Sequence, residues 1–274
     1  MPRPCTQLFG EFDDNINKFG PPPTNVLKPK SNSGTTPLTL NRNLKWTPKT
    51  PNGTVELTVK FLEKPQTKDP EQTINAIKAA TKDWEKVANI KFIWKERTDN
   101  AIIRIAFRPG GGYNSLVGTT HLAPDVKDAQ DEKTMNLDFR FFDRNNNPIP
   151  DDSSEIYGTT LHEFGHAIGC VHEQINPDTV GKLVWKPDAV YTWFSKPENQ
   201  NPTWSKAKVD NNFNKFEPMP NDSVLHTKWD GTSIMQYFIL KEWTSNLTAD
   251  IPEPTKLSDY DKKFIGDMYP FPPK

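Results

Sequence analysis

A chain of 274 residues is long enough for one large domain, or two closely packed halves, around a shared core, and a single unit is expected. Its 34 Lys+Arg and 35 Asp+Glu nearly cancel, so no overall field favours nucleic acid or an anionic membrane. No apolar run approaches the roughly 20 residues of a spanning helix, and the two cysteines, Cys5 and Cys170, allow at most one bridge, which excludes a disulfide-dense scaffold.

Residues 1–43 are rich in Pro, Asn, Lys, Ser and Thr and show no apolar period through PPPTNVLKPKSNSGTTP, so they read as a flexible tail or a pro-segment. Their opening stretch has no signal-peptide apolar region. Residues 44–274 then form the expected domain, with halves of about 44–170 and 171–274. VELTVKFL at Val55 to Leu62 alternates and predicts a half-buried strand. Ile74, Ile77, Ala80, Trp84 and Val87 fall at helical spacing after Asp69-Pro70, predicting an amphipathic helix from Asp69 to Val87. Short strands are expected at Ile90 to Trp94 and Ile102 to Phe107, and another from Thr134 to Phe142. Ile156, Leu161, Phe164 and Ile168 predict a helix from Ser153 to Gly169. The stretch from Asn176 to Asn221 reads as loop pinned by tryptophans, and a last helix is expected at Ser258 to Met268 with Ser258 as cap and Asp261 in the first turn. Strands interleaved with helices, then a loop-rich half, give an α+β (mixed α/β) fold class.

The chemistry concentrates in HEFGHAIGCVHE, His162 to Glu173, which holds three of the five histidines. His162 and His166 are four apart, so on a helix their imidazoles share one face and reach one metal ion. Glu163 lies one step round the helix, placed to reach a metal-bound water as general base. Gly169 can take positive φ, stop the helix and let His172 swing back as third ligand. Three neutral imidazoles leave one position open, the arrangement of catalytic rather than structural zinc.

This H-E-x-x-H-x-x-G-x-x-H run resembles the metzincin signature, and Glu173 directly after the third His looks like the astacin branch. Ser233-Ile234-Met235-Gln236-Tyr237 resembles the family's Met-turn. The resemblance, loosely spanning Lys45 to Tyr269, implies a metzincin fold: a twisted mixed sheet and two long helices, a loop-rich second half ending in a helix, and a cleft between. It implies that Met235 underlies the histidines and that Tyr237 is a switchable ligand that can also stabilise the transition state. It further implies a zinc metalloendopeptidase acting on peptide or protein substrates, as a monomer in an extracellular setting. An extended substrate would add to an edge strand, for which Thr134 to Phe139 is the candidate. Astacins usually carry two disulfides, and this chain cannot form both. Cys5 is open to three readings: a zinc ligand that holds the enzyme latent, a bridge to Cys170, or a free thiol. Asp13 and Asp14 are a second latency candidate. Glu173, in the astacin branch, engages a newly generated N-terminus; the bland alternative is an exposed loop acid. The rival function is a zinc-bearing peptide-binding pseudoprotease, against which the presence of Glu163 argues.

Overall fold

The computed structural model describes residues 6–8, 39–139, 151–199 and 203–273. Along the chain come β1 (Thr6–Leu8), β2 (Leu40–Asn41), β3 (Val55–Phe61), α1 (Pro70–Val87), β4 (Ile90–Trp94), β5 (Ile103–Ala106) and β6 (Tyr113–Leu116). They are followed by α2 (Pro124–Asp128), β7 (Met135–Leu137), α3 (Ser153–Ala167), α4 (Pro187–Phe194), α5 (Lys206–Asn212), β8 (Val224–Leu225) and α6 (Asp259–Met268). The main sheet runs β1-β6-β7-β5-β3-β4. Every neighbouring pair is parallel except β6 and β7, which are antiparallel. This is the mixed α/β architecture expected.

Local chemistry explains the elements that the periodicity found. In β3 the alternate residues Val55, Leu57 and Val59 are buried, as a strand with one face on the core requires. Asp69 caps α1 by accepting from the Gln72 N–H at 3.0 Å, and Pro70 occupies the first turn, where its missing N–H costs nothing. Ile77, Ala80 and Trp84 turn inward, and the Trp84 indole donates to the Leu161 carbonyl at 3.1 Å, fixing α1 against α3. Ser258 and Asp261 form a reciprocal capping box on α6.

Three expectations need correction. β7 covers only Met135–Leu137 and is flanked by β6 and β5, so it is an interior strand rather than the sheet edge; residues 140–142 lie outside the described residues. The edge position beyond β7 belongs to β6, and β1 is laid along it. The stretch read as loop from Asn176 holds α4 and α5, which begin at Pro187 and just after the capping Ser205. Their amphipathic faces are only two turns long, too short for periodicity to register. The predicted tail also ends earlier than residue 43: Thr39 and Leu40 are fully buried, and the Asn41 N–H donates to the Gly169 carbonyl at 3.0 Å.

Candidate metal centre

α3 carries two of the three predicted ligands, and both of its ends are secured. Asp152 accepts from the Ser154 and Glu155 N–H groups at the start. At the other end Gly169 sits at φ +106°, a conformation that side-chain-bearing residues rarely adopt, and it turns the chain as predicted. Carbonyls orphaned at this terminus find partners from distant segments: the Trp46 indole donates to Ala167 O at 2.8 Å and the Tyr269 hydroxyl to Ile168 O at 2.7 Å. Neither residue was singled out by the motif. They fix the point at which the chain leaves the helix and returns toward it with His172.

His162, His166 and His172 are brought together, each with one ligand atom within 4.8 Å of the others. This is the one such group among the described residues. In each ring Nδ1 faces a backbone carbonyl: Ile234 O at 2.7 Å for His162, Cys170 O at 2.9 Å for His166 and Asn212 O at 3.4 Å for His172. A carbonyl only accepts, so Nδ1 carries the proton and Nε2 keeps the lone pair for a metal. The Nε2 atoms of His166 and His172 are 3.2 Å apart. Two nitrogens on one tetrahedral zinc, each at about 2.0–2.1 Å, lie about 3.3 Å apart. Burial pushes the His162 imidazole down to about 4, and burial together with the neighbouring imidazoles drives His166 and His172 well below the usual range. All three are therefore in the neutral, ligating form at pH 7. The donor set fits zinc.

Met235 packs beneath this group at a position that only glycine permits. A Cβ at Gly165, inside α3, would come 2.3 Å from the Met235 sulfur. The turn bearing Met235 is held from α6: Asp261 accepts from the Ser233 hydroxyl at 2.7 Å and the Ile234 N–H at 2.8 Å. Since Ile234 O takes the His162 proton, a continuous chain of hydrogen bonds runs from Asp261 to the first ligand. Burial raises the Asp261 carboxyl to about 6 against the pull of those donors. The first-turn charge expected of Asp261 is thus only part of its work. The Tyr237 ring lies 4.2 Å from that of His172, and Glu163 is fully buried between the two helical ligands.

Glu173 is not an exposed loop acid. It is fully buried and accepts from Thr39 Oγ1 at 3.0 Å, Asn176 Nδ2 at 2.7 Å and the Asp230 N–H at 3.1 Å. Burial nevertheless raises its carboxyl to about 8. Cys170 is a buried free thiol. Cys5, Asp13 and Asp14 lie outside the described residues. Gly165, Trp46, Tyr269 and Asn212 were missed because each acts through a contact distant in sequence. Glycine in a helix interior, at position 165, was the one signal in the sequence, since it lowers helix stability without local gain.

A mixed sheet backed by a helix with two imidazoles, a glycine turn delivering the third and a methionine beneath them define a zinc metalloprotease of the metzincin class. The chain belongs to the matrixin family, whose model matches residues 45–184. Among solved structures, one described as "Structure of myroilysin" is 30% identical, with 85% of this chain and 98% of that chain covered at a TM-score of 0.67. A second, "Crystal structure of myroilysin", is also 30% identical, covering 84% and 87% of the two chains at a TM-score of 0.54. The hatching-enzyme zinc protease HCE-1 of the medaka fish Oryzias latipes is 17% identical, covering 83% and 94% at a TM-score of 0.46. A comparison with curated proteins gives no match.

Proposed function

We propose that this metalloprotease is an endopeptidase in which Glu163 moves the proton and Tyr237 steadies the oxyanion, and that its N-terminal segment keeps it latent. The observation that carries the reading is a buried carboxylate set between two neutral imidazoles on one helix. His162, His166 and His172 would hold the zinc. When bound, zinc supplies the Lewis acidity that activates water and polarises the scissile carbonyl. Glu163 takes the proton from the attacking water and returns it to the leaving amine; binding alone would have no use for such a base. The Tyr237 hydroxyl donates to the carbonyl oxygen as negative charge develops there. Carbonyls at Ile234, Cys170 and Asn212 keep the three rings turned with Nε2 toward the metal throughout.

Support for latency comes from β1. It pairs in parallel with β6, Thr6 opposite Asn114 and Leu8 opposite Leu116, along the sheet edge where an extended substrate would add a strand. Cys5 directly precedes β1, so a thiolate on the metal is one route to latency; Asp13 or Asp14 is the other. Glu173 supports an astacin-like activation: it is buried against Thr39, where the chain enters the domain, within reach of an ammonium created by cleavage near that point.

The test is hydrolysis of a mixed peptide substrate by the full chain. Cleavage that stops with a chelator, returns with zinc and rises on removal of the N-terminal segment is the expected result. Cleavage indifferent to chelator would refute the metal reading, and equal rates before and after trimming would refute latency.

A further inference from the structure

Between the histidine cluster and the turn that bears Tyr237 lies a side-chain amide that is neither a ligand nor a proton carrier. Gln174, two residues after the third histidine, is 2% exposed and so lies inside the domain. Its Nε2 donates to the Asn212 carbonyl at 3.4 Å, and its Oε1 accepts from the Tyr237 N–H at 3.4 Å. A carbonyl only accepts and a backbone N–H only donates, so these two partners fix which way round the amide sits.

Both partners belong to groups on which the chemistry depends. The Asn212 carbonyl, at the last residue of α5, also faces His172 Nδ1 at 3.4 Å. A helix terminus leaves its last carbonyls without intrahelical partners, so this one can serve the imidazole and the amide together through its two lone pairs. Beyond Phe213, residues Asn214, Lys215 and Phe216 all hold positive φ, at 47, 54 and 64°, which stops a right-handed helix and ends α5 at this point.

On the other side Tyr237 is held through its backbone by two amides. Its N–H goes to Gln174, and its carbonyl accepts from Gln236 Nε2 at 2.9 Å. Gln236 is fixed in turn by the Trp229 indole, which donates to its Oε1 at 2.9 Å. The Glu173 N–H donates to the Met235 carbonyl at 2.9 Å, which lays residue 174 alongside the turn. The Tyr237 ring then stands 4.2 Å from the His172 ring and 5.7 Å from that of Phe213, the residue after Asn212.

Burying an amide is costly, and an apolar side chain of similar volume would fill the same space without that cost. What the amide adds is a donor and an acceptor at one fixed spacing. Bonds of 3.4 Å are at the long end of the range, so they direct geometry more than they stabilise the fold. We infer that Gln174 is a positioning residue, whose amide couples the carbonyl that orients His172 to the backbone of Tyr237. The Tyr237 half rests on the function proposed above; the His172 half rests on the histidine cluster alone.

The experiment uses full chain, before and after limited proteolysis of the N-terminal segment, loaded with cobalt(II) for spectra and with zinc for peptide cleavage. Gln174→Met loses both bonds, whereas Gln174→Glu keeps the acceptor for Tyr237 and loses the donor to Asn212. Both should shift the visible cobalt bands, which report ligand geometry and are blind to a merely structural role. Gln174→Met should lower kcat about 10- to 100-fold with KM little changed, the scale of losing a partner behind a metal ligand. Gln174→Glu should lower it less. In a Tyr237→Phe background the Gln174→Met change should cost less, by about threefold or more, because the two residues act together. Urea unfolding of the metal-free chains shows whether each variant folds; should Gln174→Met not fold, the cobalt bands of Gln174→Glu decide. The proposal is overturned if folded variants keep the wild-type cobalt spectrum, or if the losses from Gln174→Met and Tyr237→Phe multiply independently. An unchanged kcat in Tyr237→Phe would instead overturn the role given to Tyr237, leaving the cobalt bands to test Gln174 through His172.

Discussion

Replacing Gly165 with alanine probes the contact between the metal-bearing helix and the turn beneath it. The added Cβ would stand 2.3 Å from the Met235 sulfur and 3.4 Å from both Met235 Cε and Trp84 Cζ2, where ordinary contact begins near 3.4 Å. The sulfur must retreat by about 1 Å. Met235 and Trp84 are both fully buried, so it has no open space to enter. Overpacking of this kind costs about 1–3 kcal/mol, while alanine regains about 1 kcal/mol of helix propensity over glycine. The net expectation for Gly165→Ala is a loss of about 0–2 kcal/mol. The sharper quantity is the coupling. In a Met235→Ala background the sulfur is gone, and the same Gly165→Ala change should stabilise by about 1 kcal/mol. Urea unfolding of the metal-free wild type, both single variants and the double variant supplies the cycle. A zero coupling energy, or a Gly165→Ala protein more stable than wild type, would refute the packing argument.

The hydrogen-bond chain from Asp261 gives a pH test. Its carboxyl is raised to about 6 from 3.8, so folding takes up a proton in that interval. The stability it contributes is fully present below pH 3.8 and is lost as pH rises through 6. Asp261→Asn should be destabilised by about 1–3 kcal/mol through mismatched donors, with the gap to wild type narrowing between pH 4 and pH 7; a widening gap in denaturant titrations would contradict this. The His162 imidazole, depressed to about 4, acts in the opposite sense: its contribution is present above 6.5 and lost as pH falls toward 4, so metal-free protein should lose stability over that range. Titration of this imidazole near 6.5 by NMR would contradict it. Tyr237→Phe should lower kcat about 100-fold with little change in KM or zinc content, as loss of an oxyanion donor does; an unchanged kcat would remove Tyr237 from the chemistry.

The three-histidine cluster was legible in the sequence because it depends on local geometry. Two histidines four residues apart share a helix face in any helix, and Gly169 announced the turn that returns His172. β3, α1 and α6 were likewise readable, because their alternation, helical period and caps lie within a few neighbouring residues. What escaped depends on distant partners. Met135–Leu137 looks like any alternating strand, and only its pairing with both β5 and β6 makes it interior. Gly165 owes its necessity to Met235, and Asp261 reads as a first-turn acid until α6 is seen to hold the Met-turn.

In the proposed function Glu163 performs proton transfer in a zinc site built by His162, His166 and His172. Its most direct test compares wild-type protein with Glu163→Gln for zinc content and peptide cleavage in the same preparation. One zinc per chain is expected in both, with cleavage by the variant reduced about 100- to 10,000-fold. Wild-type activity in a zinc-loaded Glu163→Gln protein would contradict it.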